Sequence, residues 1–440
     1  MSVPVVGFAG MTHLGIVSAS AIASAGFETV CFDPDAKLVG RLREGALPVL
    51  EPGLDALITG NGGRQRFTSA KEDLARCDVV YVSPDVATDD AGQSDTTVLR
   101  QLIDIVASVL GPNACMVVLS QVEPGFTRAL NAPPEDRRFY QVETLVFGNA
   151  VERALKPERY IVGCADPAKP LHSGFRAVLE AFGCPILPMR YESAELAKIS
   201  INCCLVASIS VANTLAELCE AIGADWSEIT PALKLDRRIG QFSYLAPGLG
   251  IAGGNLERDL ATVCRLADRH NTDSGVVKAW IHNSKHRRDW VVRTVRQLLL
   301  EQNPQSRLAI WGLAYKENTH SVKNSPSLAA IAQMPEARLR VHDPVVSASQ
   351  VDHRYIEACV EPLDALRGSE ALLILTPWPQ YRQIKPAEIA ASLKGRIVVD
   401  PYKVLDREQA LSAGLAYYTL GQARAQSDRS RHQASAVQAT

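Results

Sequence analysis

The chain has no surplus of charge and no paired cysteines. Lys and Arg total 46 against 48 Asp and Glu, a formal net charge of −2 over 440 residues. That balance excludes the basic footprint of a nucleic-acid binder and the polybasic face of a membrane-surface protein. The ten cysteines form no Cys-x-x-Cys pair and no His-rich cluster, which excludes a disulfide framework and a structural zinc site. MSVPVVGFAG enters an apolar strand without the charged and apolar regions of a signal peptide, so the cytoplasm is expected. No segment repeats with a period of about 20–50 residues. Residues 199–216, ISINCCLVASISVANTLA, carry no charge over eighteen positions, the lower bound for a membrane span. Asn202, Asn213 and several serines dilute that run, and Lys198 and Glu217 bracket it, so a buried helix is predicted and no membrane partner.

What is present is ordinary globular composition, 47% hydrophobic and 21% charged, in a chain too long for one core. The first 190 residues alternate apolar runs with helical patterns, the signature of a doubly wound α/β domain with a parallel sheet. VPVVGFAG, ETVCFD, CDVVYVS, ACMVVLSQ and YIVG read as strands, and LGIVSASAIASAG as a helix closed by Gly26. From 191 the stretch ESAELAKISINCCLVASISVANTLAELCEAIG predicts one helix, about 45 Å long at 1.5 Å per residue. Such a helix is a natural spine and a natural homodimer surface. Alternation resumes in RLAIWGLAY, ARLRVHDP, ALLILTPW and RIVVDP, four strands of a second, smaller α/β domain. The expected division is 1–190 for dinucleotide binding, 191–302 for a central helical and dimerisation domain, 303–423 for a second Rossmann-like domain, and 424–440 for a disordered tail.

Gly10-Met11-Thr12-His13-Leu14-Gly15 follows the first strand and opens the first helix, and Asp33 ends the second strand 18 residues later. That order predicts a dinucleotide turn, with a helix N-terminus facing the pyrophosphate and a carboxylate for the adenosine ribose hydroxyls. Asp33 favours NAD over NADP, whose 2′-phosphate would meet a negative charge. Thr12 replaces the middle glycine, and its β-carbon crowds the phosphates.

A second glycine-rich stretch, PGLGIAGGNLERDL (247–260), turns into a helix near Asn255, with Asp259 a turn later. Asn255 reads there either as a helix cap or as the occupant of a chemical position. Lys198 and Asn202, four apart on the long helix, project the same way. An ammonium and an amide so arranged can stabilise an alkoxide as hydride leaves. Glu143, after a strand, and Asp259 are candidates to position a water or accept a proton. The plainer reading of Lys198 is an exposed helix lysine.

These segments together resemble the UDP-glucose/GDP-mannose 6-dehydrogenase family, which oxidises a nucleotide sugar's primary alcohol to a carboxylate with two NAD. PVLEPGL (48–54), VETLVFGNAVERALKPERYIVG (142–163), the long helix, DRRIG (236–240) and GLAYKENTHSVKNSP (312–326) carry the resemblance over residues 4 to 410. It implies a nucleotide-sugar substrate and catalytic places for Lys198 and Asn202. It implies substrate contacts from Gly250, Gly253 and Lys316, and from Arg238 reaching into a neighbouring subunit. It implies cofactor contacts from Gln121 and Lys323.

The departures from that pattern are concentrated. Asn255 stands where the family has its nucleophilic cysteine, Arg258 where it has a lysine, and Phe147 where it has the second glutamate of Glu-x-x-x-Glu. Gln121 replaces the threonine of Ser-Thr-Val, and Val86 and Ala87 replace a Thr-Pro. An amide nitrogen cannot form the thiohemiacetal and thioester of the second oxidation. The resemblance with these losses implies an NAD-dependent two-electron oxidation, or its reverse. Full oxidation through a hydrated aldehyde activated by Glu143, and a non-catalytic binder of NAD or nucleotide sugar, are the alternatives.

Overall fold

The structure, a computed structural model, describes residues 3–89, 92–252 and 254–423. Gly253 and the expected tail, 424–440, lie outside them. The described chain divides into two compact units, the first ending at Ile201 and the second beginning at Asn202.

The strands in chain order are β1 (Val6–Ala9), β2 (Thr29–Phe32), β3 (Gln65–Thr68), β4 (Val79–Val82), the short ribbon β5 (Ala87–Thr88) and β6 (Ser94–Asp95), β7 (Cys115–Val118), β8 (Arg138–Gln141), β9 (Tyr160–Cys164) and β10 (Ile186–Arg190). The second unit adds β11 (Arg307–Trp311), β12 (Arg338–His342), β13 (Ile356–Ala358), β14 (Ala371–Ile374), β15 (Ile397–Val399) and β16 (Ala416–Tyr418). In the first unit eight strands run in the order β10-β9-β8-β7-β4-β1-β2-β3. β1, β2, β4 and β7 are buried at every position, as strands covered on both faces must be. The second unit holds six parallel strands in the order β13-β12-β11-β14-β15-β16.

The doubly wound reading holds in both units. The first sheet departs from a wholly parallel one, because β8 pairs antiparallel with β9 through Tyr140–Gly163 and Gln141–Val162. β3 and β8 escape a reading by pattern because RFYQ and QRFT mix charge with apolar residues. β13 and β16 escape it because three residues at a sheet edge carry no period.

The long helix spans Tyr191–Ile222. It is long and apolar enough to cross a membrane by length and composition. Tyr191 and Ala194 join a core of the first unit, while Val206 joins one core of the second, and Ala212, Ala216 and Cys219 another with Trp226 and Leu245. Because each half packs into a different unit, compactness divides the chain inside this helix. The expected boundaries at 190 and 302 follow composition instead.

Candidate active site

In a doubly wound sheet the ligand crevice opens where strand order reverses, outside the carboxyl ends of the adjoining strands. Here those strands are β1 and β4, and Gly10 to Gly15 and Ser83 to Asp85 follow them. The turn is tight: a β-carbon on Gly15 would lie 1.9 Å from Gly10 O and 2.9 Å from Ser83 Oγ, so only glycine fits. Helix α1 (His13–Ser24) starts at once, with Thr12 as its N-cap. Thr12 has φ −87°, so its backbone requires no glycine. Its hydroxyl donates to Ser83 O at 3.4 Å and accepts from Asp85 N at 2.8 Å. Asp33, at the end of β2, accepts from Met11 N at 2.8 Å and from Asp35 N at 2.9 Å. It is thereby fixed beside the turn, at the position the sequence assigns it.

Buried beneath this turn, His13 Nε2 lies 2.9 Å from Glu51 Oε2, and Phe147 stacks on the imidazole with ring centroids 4.1 Å apart. Glu51 also accepts from Gly148 N at 3.0 Å and Ala150 N at 2.8 Å. Phe147 is therefore seated on the histidine, an apolar ring over the imidazole.

Lys198 Nζ lies 3.4 Å from Glu143 Oε2, and the side chains are 12% and 17% exposed. Enclosure and pairing overturn the reading of Lys198 as a free surface lysine. An ammonium held out of bulk water beside a carboxylate can both stabilise negative charge on oxygen and pass a proton to its neighbour. Gln121, half-buried after β7, follows Ser120, whose hydroxyl donates to Pro84 O at 2.5 Å.

In the second unit Asn202 Nδ2 donates to Asp259 Oδ2 at 2.5 Å, and Arg258 Nε donates to Asp259 Oδ1 at 3.3 Å. All three residues are buried. Arg258 thus acts as the fixed counter-charge of Asp259. Gly254, not Asn255, is the N-cap of the helix Asn255–His270, with φ +93°. Asn255 is the first helical residue and is exposed. The glycine-rich loop before it is anchored: Ile251 N donates to Ser284 Oγ at 2.8 Å, and a β-carbon on Gly250 would meet Ser284 O at 2.4 Å. Gly250 therefore has a packing reason to be glycine. Lys323 passes Gly254, its Cγ 3.4 Å from where a β-carbon would sit. Lys316 is half-buried, its ammonium 5.6 Å from the Tyr315 ring centroid. Arg238 stands apart, 89% exposed, with Nη2 2.6 Å from Asp236 Oδ2.

Cys203, next to Asn202, has its pKa pushed up to about 11 by burial and by Asp259. At neutral pH it is a thiol, not a thiolate.

The chain matches three consecutive domains of one family: its NAD binding domain over residues 1–180, its central domain over 192–285 and its UDP binding domain over 309–407. It belongs to the UDP-glucose/GDP-mannose dehydrogenase family. It is 26% identical over 416 residues to the putative UDP-glucose 6-dehydrogenase YtcA of Bacillus subtilis, covering 92% of this chain and 97% of that protein. It is 28% identical over 446 residues to a UDP-glucose 6-dehydrogenase of Pseudomonas aeruginosa, covering 94% and 97%. The solved UDP-glucose dehydrogenase from Pyrobaculum islandicum superposes with a TM-score of 0.81 at 26% identity, covering 94% and 97%. A dehydrogenase from Pyrococcus horikoshii with a TM-score of 0.80 and 20% identity, covering 94% and 99%, shares the fold.

The cofactor of this dehydrogenase family is NAD, and the residues of the first unit fit it. Gly10 and Gly15 make the close turn, α1 starts at once after it, and the Asp33 carboxylate is held beside it, as a carboxylate for ribose hydroxyls would need to be. Sequence reading missed Asp85 and the His13–Glu51 pair. A signal for Asp85 exists, since residues just after β1 and β4 line the crevice of any such sheet.

Proposed function

We propose that this dehydrogenase removes two electrons from a CH–OH group of a nucleotide-linked sugar, or runs the reverse reduction, and stops at the carbonyl. The alcohol loses a hydride and a proton, and NAD supplies the hydride acceptor. Lys198 stabilises the developing alkoxide, and Glu143, its 3.4 Å partner, takes the proton. Asn202, held by Asp259 within the second unit, has the part of an amide donor from the family resemblance alone. The observation that carries the halt at the carbonyl is Asn255, a residue unable to add to an aldehyde, exposed at the head of its helix. Cys203, held as a thiol, and Phe147, stacked on His13, support it.

Substrate contacts fall to Gly250, Lys316 and, from a second subunit, Arg238, with Gln121 and Lys323 on the cofactor side. Gly253 has the same substrate role by sequence alone. A homodimer is supported by Val211, Leu215, Leu218 and Ile222, exposed apolar residues at helical spacing on the long helix. A molar mass of two chains by light scattering checks it.

The chain incubated with NAD and UDP-, GDP-, ADP- or CDP-sugars is expected to release one NADH per sugar with an oxo-sugar product. Two NADH and a uronate would sink the proposal in favour of oxidation through a hydrated aldehyde. No NADH with any sugar, alongside tight ligand binding, would favour a non-catalytic binder.

A further inference from the structure

The N-terminus of α1 already has a negatively charged partner. Asp85 Oδ2 accepts from His13 N at 3.1 Å, the first residue of the helix whose free amides a dinucleotide's pyrophosphate would engage. The carboxylate is held there by its own backbone: Asp85 N donates to Thr12 Oγ1 at 2.8 Å. The preceding residue is pressed onto the turn, since a β-carbon on Gly10 would lie 2.8 Å from Pro84 N. Thr12, the residue in place of the middle glycine, is thus one half of a clasp whose other half is Asp85.

We propose that Asp85 is a built-in competitor for the NAD pyrophosphate, bonded to the amide at the head of α1 and displaced when the dinucleotide seats. A carboxylate and a pyrophosphate cannot share one amide without like-charge repulsion. As a whole residue Asp85 is exposed, while its carboxyl is turned in against the head of α1. Enclosure of its carboxyl against the turn and the Glu143 carboxylate push its pKa up, against His13 and the Thr12 hydrogen bond. Thr12 and Asp85 together set NAD affinity, and the clasp makes this chain a weaker NAD binder than its glycine turn alone would be.

The test is titration of the full chain and of Asp85→Asn, Asp85→Ser and Thr12→Gly with NAD, ADP-ribose and adenosine, followed by calorimetry. Thermal unfolding of each variant confirms the fold. The expected result is at least about tenfold tighter binding of NAD and ADP-ribose by both Asp85 variants, with adenosine unchanged. Thr12→Gly, which opens the clasp from the other side, is expected to shift in the same direction. Equal or weaker NAD binding by both Asp85 variants overturns the proposal. Equal tightening for adenosine also overturns it, because adenosine carries no phosphate to compete.

Discussion

The amide of Asn202 and the carboxylate of Asp259 lie 2.5 Å apart, 57 residues separated in sequence and both withdrawn from solvent. Removing one member leaves the other with an unmet demand. Asn202→Ala is expected to destabilise the second unit by about 1.5–3 kcal/mol, the range for a hydrogen bond to a charged group. Asn202→Asp should be worse, because two carboxylates then face each other. The exchange Asn202→Asp with Asp259→Asn should recover much of the loss by restoring one donor and one acceptor. Thermal shift of the three variants checks this order, and a double variant no better than Asn202→Asp alone contradicts it.

Lys198 and Glu143 are assigned to charge stabilisation and proton acceptance. Lys198→Ala is expected to lower kcat by about 10²–10³, the usual cost of losing one preorganised donor. Its dissociation constant for NAD, read by fluorescence titration, should stay within about threefold. A fall in kcat of less than tenfold would remove Lys198 from the chemistry.

Placing sulfur at position 255 is a sharper probe of the proposed halt at the carbonyl. Asn255→Cys sets a thiol in the first turn of the helix Asn255–His270, where the helix N-terminus favours a thiolate. Alkylation at neutral pH should reveal one additional fast-reacting thiol relative to the unaltered chain. With substrate, the NADH yield per sugar should rise above one. Unchanged labelling would mean that the position is shielded.

His342 offers a test by acid. Its Nδ1 lies 2.9 Å from the Tyr381 hydroxyl, and burial lowers its pKa, against Asp343 and Glu361. The unfolded chain then takes up a proton at about pH 6.5 that the folded chain refuses. Stability of the second unit should therefore fall as pH drops below about 6.5 and level off once the folded pKa is passed. Urea midpoints between pH 5 and 8 should show a smaller slope in His342→Gln than in the unaltered chain.

Legibility differed by kind of residue. The turn Gly10–Gly15 and Asp33 could be read because strand, turn, helix and terminal carboxylate are local and ordered. Lys198, Asn202, Asp259 and Asn255 became candidates because helical spacing and the family resemblance mark them. The partners could not. Nothing in the sequence joins Glu51 to His13, Phe147 to His13, or Asp85 to Thr12, pairs separated by 38, 134 and 73 residues. Short edge strands such as Ile356–Ala358 were equally silent, since three residues hold too little period to distinguish strand from loop.

By itself the sequence determined two doubly wound sheets, the long helix and an asparagine at position 255. Apolar period, glycine punctuation and side-chain identity are properties of neighbouring residues. Only the tertiary structure decided that Lys198 is paired, that Arg258 neutralises Asp259, and that a carboxylate already touches the head of α1. Electrostatics depends on distances between atoms that the fold, and not chain order, brings within a few ångströms.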